Sequence, residues 1–262
     1  MQHSVAYTIA FASLTCLICA ILVSTSAVSL RDLQQINANL DKRKNVLLAA
    51  GLAKSSETLN AIEINKRFQA VKATVIDITS GQPAQGIETK DFDSKKVRND
   101  PATSQTAPVN AARVSRIPKY VIVYQIFNNS QQLEMIVLPV EGYGLWSTLY
   151  GFIALDADGK TVRGLTYYKH GETPGLGGEV DNPSWKARWT DRIISDENGN
   201  ILIEVIKGTA GSPKEEPHFV DGLSGATITS RGVTNMLHFW LGKNGFGPYL
   251  RILRATHKAS KN

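Results

Sequence analysis

The sequence predicts an α+β protein: an N-terminal transmembrane helix, then an antiparallel-sheet domain with peripheral helices. Three observations carry this. No Lys, Arg, Asp or Glu precedes Arg31, and the apolar run 5–30 is long enough to cross a bilayer as one helix. Between residues 119 and 207, three pairs of strand-like runs each flank a short polar turn, the mark of hairpins instead of a doubly wound sheet. After a small-residue turn at 221–230, apolar residues recur at helical spacing.

Taken in order, the first helix has a cleaved signal peptide as its rival, because Ser24-Thr25-Ser26-Ala27 is rich in small residues. The run exceeds a signal core and lacks a basic lead-in, so it reads as a retained anchor. Arg31, Lys42, Arg43 and Lys44 follow it, which by charge alone would keep the large domain in the cytoplasm, although long domains translocate largely regardless of charge. Leu33, Ile36, Leu40 and Leu47 extend the helix to about Ala50, with Gly51 as its stop. A second helix is expected at 56–69 and a strand at 70–78. The polar stretch 79–118, with Pro83, Pro101 and Pro108, reads as loop or loosely ordered helix outside the core.

Hairpins are expected at 119–127 with 132–140, at 149–155 with 161–168, and at 192–196 with 201–207. Their turns are Asn128-Asn129-Ser130, Asp156-Ala157-Asp158-Gly159 and Glu197-Asn198-Gly199-Asn200. Asn182-Pro183 opens a short helix through Trp189. From Ser230 a helix places Val233, Leu237 and Trp240 on one face, with Gly242 or Gly245 to end it. The chain thus divides into an anchor at 1–30, a connecting region at 31–118 and a sheet domain at 119–262.

Composition narrows the function classes. Basic residues give a formal net charge of +6 but are dispersed, which argues against nucleic acid as a partner. Cys16 and Cys19 are the only cysteines, so the soluble part has no disulfide, thiolate metal site or cysteine-held cluster. His3, His170, His218, His238 and His257 show no ligand spacing. Gly222-Leu223-Ser224-Gly225-Ala226 misses the nucleophile elbow at Ala226, and Gly175-Leu176-Gly177-Gly178-Glu179-Val180 misses a dinucleotide fingerprint at Val180.

What remains is Asp221-Gly222-Leu223-Ser224-Gly225-Ala226-Thr227-Ile228-Thr229-Ser230, a turn that brings hydroxyls to a helix start. Free amides and the helix dipole there suit a phosphate, while the plain alternative is Thr229 or Ser230 as an N-cap. An alkyl hydroxyl needs a base or a metal to become a nucleophile, and Asp221 is the only carboxylate in the turn. As a turn-initiating residue, Asp221 has an ordinary explanation too.

The run Asp221-Gly-Leu-Ser-Gly-Ala-Thr227 resembles the attachment motif of the FMN-binding domain family. The whole chain resembles the NqrC-like family, flavin-bearing components of bacterial sodium-translocating NADH:quinone oxidoreductases. The likeness runs through Leu138-Pro139-Val140, Gly144-Leu145-Trp146, Gly164-Leu165-Thr166-Tyr167-Tyr168, Glu172-Thr173-Pro174-Gly175-Leu176-Gly177-Gly178-Glu179-Val180, Phe239-Trp240-Leu241-Gly242 and Gly245-Phe246-Gly247-Pro248. The stretch 79–118 carries little of it.

The resemblance implies FMN joined by a phosphoester to Thr227, with Ser224, Gly225 and Ala226 as a small wall beside the phosphate. It implies Thr229 as a phosphate hydrogen-bond donor, with capping as the competing role. Glu172, Thr173, Leu176 and Gly177 belong by resemblance to a flavin-facing loop, Thr173 near the phosphate or ribityl chain and Leu176 near the rings. Leu145 and Trp146 would pack on the isoalloxazine, although a tryptophan is as readily core. Lys207 is a further contact, or else a snorkelling surface lysine.

Asp221 would be read by a magnesium-dependent flavin transferase. The implied role is an electron relay from an iron–sulfur centre to another flavin subunit, in a complex that carries electrons from NADH to ubiquinone and exports sodium. This chain shows no NADH motif and no quinone or sodium site of its own. Its implied partners are the other membrane subunits, the transferase and lipid; its implied place is the inner membrane, single-pass, with the large domain periplasmic. Two alternatives remain: a G-type flavin subunit of an Rnf complex, disfavoured by Gly245-Phe246-Gly247-Pro248 and the 79–118 insertion, and a flavin-free anchored binding or assembly module.

Overall fold

The computed structural model describes residues 4–259, so His3 and both extreme ends of the expected domains lie outside the described residues. The chain separates into two units, Met1–Lys42 and Arg43–Asn262. The first is most of helix α1 (Val5–Ala49), whose most apolar window has a mean hydropathy of 2.3 and is long and apolar enough to cross a membrane. A helix satisfies its own backbone, and hydroxyls in the apolar stretch do likewise: Thr15 donates to the Phe11 carbonyl at 2.9 Å and Thr25 to that of Ile21 at 2.7 Å. The helix runs unbroken to Ala49 and is stopped by Gly51 at φ +70°, as its spacing predicts.

The second unit is built on a five-stranded sheet of β1 (Val71–Asp77), β4 (Tyr120–Phe127), β5 (Leu133–Tyr143), β6 (Thr148–Asp156) and β7 (Val162–Lys169). The strands lie side by side in that order, every pair antiparallel. The first two expected hairpins therefore form. One face buries Val123, Ile136, Leu138, Val140, Ile153 and Leu165 with Val233, Met236 and Leu237 of α5 (Thr227–Leu241). That helix lies hard on β5. A Cβ on Gly232 would stand 2.5 Å from the Tyr143 carbonyl oxygen, and one on Gly142 would stand 2.6 Å from Met236 Cβ.

The opposite face carries an aromatic row in which Phe68 meets Tyr124, Tyr124 meets Phe152, and Phe152 meets Tyr168, with centroids 5.2–6.0 Å apart. Phe68 ends α2 (Ala61–Phe68). The end of α1 covers the same face, where Thr166 donates to Asn45 at 3.0 Å in a buried pair. The second helix is shorter than the sequence implies because Asn60 takes the cap, accepting from the Glu63 amide at 2.9 Å.

Two expectations are corrected. The stretch 79–118 is ordered and reaches the core: Ala112, Val114 and Ile117 are buried in the main cluster. It holds α3 (Ser94–Asn99), capped by Asp93, and a two-stranded sheet of β2 (Ser104–Thr106) with β3 (Arg116–Pro118). Its polarity hid three apolar anchors that are spaced to no helix or strand period.

The third hairpin forms only next to its turn. The Asp196 amide donates to the Asn200 carbonyl at 3.0 Å, Ser195 bridges Ile201 antiparallel and the Leu202 amide donates to the Ile194 carbonyl at 2.9 Å, but farther out the arms pair elsewhere. Val162 donates to the Arg192 carbonyl and Ile194 to that of Lys160, while β8 (Glu204–Val205) pairs in parallel with β9 (Phe219–Val220). Helix α4 (Pro183–Ala187) starts on Asn182 as expected. Helix α6 (Gly247–Ala259), not foreseen, starts on Gly247-Pro248 and buries Tyr249, Leu250 and Leu253.

Candidate functional site

Three segments distant in sequence meet at the carboxylate of Glu172, which is only 5% exposed. It accepts from three successive amides, Leu145 at 3.1 Å, Trp146 at 3.0 Å and Ser147 at 3.3 Å, and from the Thr229 hydroxyl at 2.7 Å. Burial alone would push this carboxyl up. The Thr229 hydroxyl and the amides of Trp146, Leu145 and Ser147 outweigh that, and its pKa lies below the ordinary value. Gly144 and Gly177 let the chain close on the carboxylate. A Cβ on Gly144 would stand 2.6 Å from Oε1, and one on Gly177 would stand 2.7 Å from Oε2.

Each arm of this clasp has a local cause. Thr173-Pro174-Gly175-Leu176 is a turn with proline second and glycine third at φ +75°, closed by the Leu176 amide on the Thr173 carbonyl at 3.1 Å. The turn presents Leu176 outward, and a Cβ on Gly225 would stand 2.9 Å from its Cδ2. The loop after β5 exposes Leu145 and Trp146, the latter 65% accessible.

The helix start differs from the expectation. Helix α5 begins at Thr227, with Ala226 as a cap that offers no side-chain acceptor. Thr229 and Ser230 are inside the helix. Thr229 turns to Glu172, so it neither caps nor faces outward, and Ser230 Oγ accepts from the Leu223 amide at 3.1 Å. A helix without a capping side chain leaves its first amides free for an external acceptor. The hydroxyls of Ser224 and Thr227 stand exposed at that end.

Thr227 opens onto a groove of about 800 Å³, lined also by Lys207, Asp221, Ser224, Gly225 and Arg231. Lys207 and Arg231 bring positive charge to the groove, against the carboxylates of Glu204 and Asp221, and the helix start it opens on suits an anion. Asp221 points into the fold: its carboxylate accepts from the Ala210 amide at 3.0 Å and lies 3.5 Å from Arg188 Nε, while Trp185 Nε1 donates to its carbonyl at 2.8 Å. Gly222 is pressed so closely on its neighbour that a Cβ would stand 2.3 Å from the Ile206 carbonyl oxygen.

The expected residues thus fall into two sets that join where Leu176 meets Gly225. Lys207, Asp221, Ser224, Gly225 and Thr227 line the groove, while Leu145, Trp146, Glu172, Thr173, Leu176, Gly177 and Thr229 belong to the clasp. Ala226 is buried between them. Sequence reasoning missed Arg231, four residues after Thr227 and so on the same helix face, a spacing that could have flagged it. Among the described residues no cluster of His, Cys, Asp and Glu could hold a metal.

Residues 144–242 match the family model described as "FMN-binding domain". Over 257 residues the chain is 42% identical to NqrC of the Na(+)-translocating NADH-quinone reductase of Pseudomonas aeruginosa, covering 97% of each chain. It is 42% identical over 244 residues to that of Vibrio parahaemolyticus, covering 91% of each. Among solved structures, the crystal structure of Shewanella oneidensis NqrC aligns with a TM-score of 0.73 at 33% identity, over 82% of this chain and 98% of that one. The crystal structure of the same component from Parabacteroides distasonis aligns with a TM-score of 0.62 at 26% identity, over 84% and 96%.

Proposed function

This chain belongs to the NqrC family of Na(+)-translocating NADH-quinone reductase subunits, and we propose that it carries FMN as a phosphoester on Thr227 and relays electrons inside such a complex. The observation that carries the attachment point is the uncapped start of α5, where an exposed threonine hydroxyl, free amides, Lys207 and Arg231 face one groove. A phosphodiester keeps one negative charge, which this end of the helix and the two cations stabilise. The small residues Ser224, Gly225 and Ala226 leave room beside it.

The residues fit the flavin: Gly225, at φ +69°, is a cradle that a side chain would fill, and Leu145, Trp146, Leu176 and Ile228 are exposed apolar surface. FMN, when bound, supplies reversible one- and two-electron transfer. The chain's own part is to hold and orient it. Thr227 provides the tether, Thr173 and the turn amides offer hydrogen bonds to polar atoms, and the Glu172 clasp fixes the Leu145–Trp146 loop relative to α5.

Tethering itself needs help from outside. Asp221 is the one carboxylate near Thr227 in the turn and is committed to Ala210 and Arg188, so a flavin transferase supplies the activation. Helix α1 anchors the chain in the inner membrane by a single pass, with the large domain periplasmic and the electrons destined for ubiquinone through other subunits. A covalent tether suits that side of the membrane, because a lost cofactor there has no cytosolic pool to replace it.

Peptide mapping of the chain co-expressed with a flavin transferase tests the reading. The FMN mass is expected on the peptide containing Thr227. Thr227→Ala gives a folded, colourless protein and a complex that fails to reduce quinone, and Thr227→Ser keeps part of the flavin. FMN found on Ser224 or Thr229 would sink the assignment.

A further inference from the structure

A second concave site lies away from the groove of Thr227, and nothing in the flavin chemistry uses it. It is a pocket of about 200 Å³ between the end of α3, the segment before β3 and the β5–β6 pair, lined by Arg98, Arg113, Arg116, Glu141, Thr148 and Tyr150 among others. Among the described residues Glu141 is its only acid, and that carboxylate is paired with Arg98. Arg98 also faces the Tyr150 ring at 5.8 Å, and Lys169 approaches the same ring at 5.8 Å. Arg116 is held by Ser104 through Nε at 2.8 Å and a terminal nitrogen at 3.1 Å. The lining therefore carries three guanidinium groups against one already paired carboxylate.

Arg113 joins this pocket to the flavin site. Its backbone sits at φ +53°, the left-handed region that long side chains avoid. Its guanidinium lies 4.9 Å from the centre of the Tyr143 ring. The Tyr143 hydroxyl donates to the Trp146 carbonyl at 3.1 Å. Arg113 and Tyr143 thus link the basic pocket by direct contacts to the exposed Leu145–Trp146 tip, cationic at one end and apolar at the other.

We infer that this composite surface docks an acidic segment of a partner protein, seating carboxylates in the arginine pocket while apolar side chains cover the Leu145–Trp146 tip. The charge excess selects an acidic occupant, and the apolar tip selects a protein over a free anion, which would have no use for it. Planar guanidinium groups pair with carboxylates through two parallel hydrogen bonds, so the pocket also fixes orientation. Seated there, a partner stands beside the loop that Glu172 ties to the helix of Thr227. The inference rests on the reading of the chain as a flavin-bearing subunit and adds where its redox partner meets it.

The test compares Arg113→Glu and Arg113→Lys with the unchanged chain in the intact complex. Three measurements are made: FMN content by mass, flavin reduction by NADH against ionic strength, and flavin reduction by dithionite. Arg113→Glu slows NADH-driven reduction about tenfold at low salt, the gap closes as salt is raised, and Arg113→Lys, which keeps the charge but not the fork, falls between the two. FMN content and dithionite reduction do not change.

Equal rates for all three chains overturn the inference, as does a slowing that ignores salt or extends to dithionite, which marks a damaged loop. Protection by phosphate beyond that of sodium chloride at matched ionic strength assigns the pocket to a free anion. Loss of binding to phosphatidylglycerol vesicles with NADH-driven reduction intact assigns it to lipid; both results reject protein docking. Absence of FMN from the unchanged chain rejects the flavin reading alone. Docking is then read from co-purification of the other subunits, which Arg113→Glu must lower in a salt-dependent way if the inference holds and must leave unchanged if it fails.

Discussion

Replacing Glu172 by Gln keeps the shape of the clasp and removes its charge. The carboxylate serves four donors through two oxygens, whereas a carboxamide offers one acceptor and brings two donors of its own. In the best arrangement its oxygen keeps the three amides and its nitrogen faces Thr229, whose hydroxyl must rotate to accept. Hydrogen bonds to a charged group contribute about 1.5–3 kcal/mol against about 0.5–1.5 for neutral ones. A loss of about 1 kcal/mol at each donor, partly recovered by that rotation, makes the variant about 2–4 kcal/mol less stable. For a domain of this size each kcal/mol lowers the melting midpoint by about 2–4 °C, so a fall of about 5–15 °C is expected.

The assay is thermal unfolding of the full chain in detergent, followed by circular dichroism at pH 7 and in acid. Hydrogen bonding holds the folded pKa of Glu172 below its unfolded value, so its contribution is present above the unfolded value and is lost as pH falls through the folded one. The difference between the two chains is therefore full at pH 7 and narrows on acidification below about 4.3, the ordinary glutamate value. Matching midpoints at pH 7, or a gap that stays constant into strong acid, refute the reasoning.

Gly177→Ala sets a methyl 2.6 Å from Thr229 Oγ1, and its melting midpoint falls by an amount equivalent to about 1–3 kcal/mol, as overpacking does; an unchanged midpoint means the clasp is looser than described. Thr173→Ala is expected to leave the proposed attachment at Thr227 intact and to shift flavin absorbance or midpoint potential by the worth of one neutral hydrogen bond, about 0.5–1.5 kcal/mol. If spectrum, potential and fluorescence all stay the same, that turn does not touch the flavin. A reporter active only in the periplasm works when fused after Asn262. Activity of a cytoplasm-only reporter there reverses the orientation, and a mature N-terminus mapped to Val28 replaces the anchor by a cleaved signal.

The long apolar helix, the first two hairpins and the short helix at Asn182 were legible because each follows from a local rule: hydropathy, alternation around a turn, or a capping residue. The third hairpin obeyed the same rule but formed only at its turn, because a partner outside the window, Lys160–Val162 at the edge of β7, takes the Ile194 amide and the Arg192 carbonyl. The candidate residues come together in the groove and the clasp, but their contacts were opaque in the sequence. Thr229 looked like a cap because caps act within four residues, whereas its partner Glu172 lies 57 positions away. Likewise Ala112, Val114 and Ile117 gave no period, since irregular chain buries side chains wherever the surface happens to turn inward.

The spacing of the clasp also sets when this site can exist. Its two closures span 27 and 57 residues, from Leu145 to Glu172 and from Glu172 to Thr229. A chain leaving the ribosome exposes both loops long before the residue that locks them. Until α5 docks on β5, Glu172 lacks the Thr229 hydroxyl, and the tip at Trp146 is held only by the Glu172 carboxylate and the Tyr143 hydroxyl. Non-local closures of this kind form late and together. A chain truncated ahead of Thr229 therefore offers only half of the clasp, and Thr227 acquires its surroundings only in the finished domain.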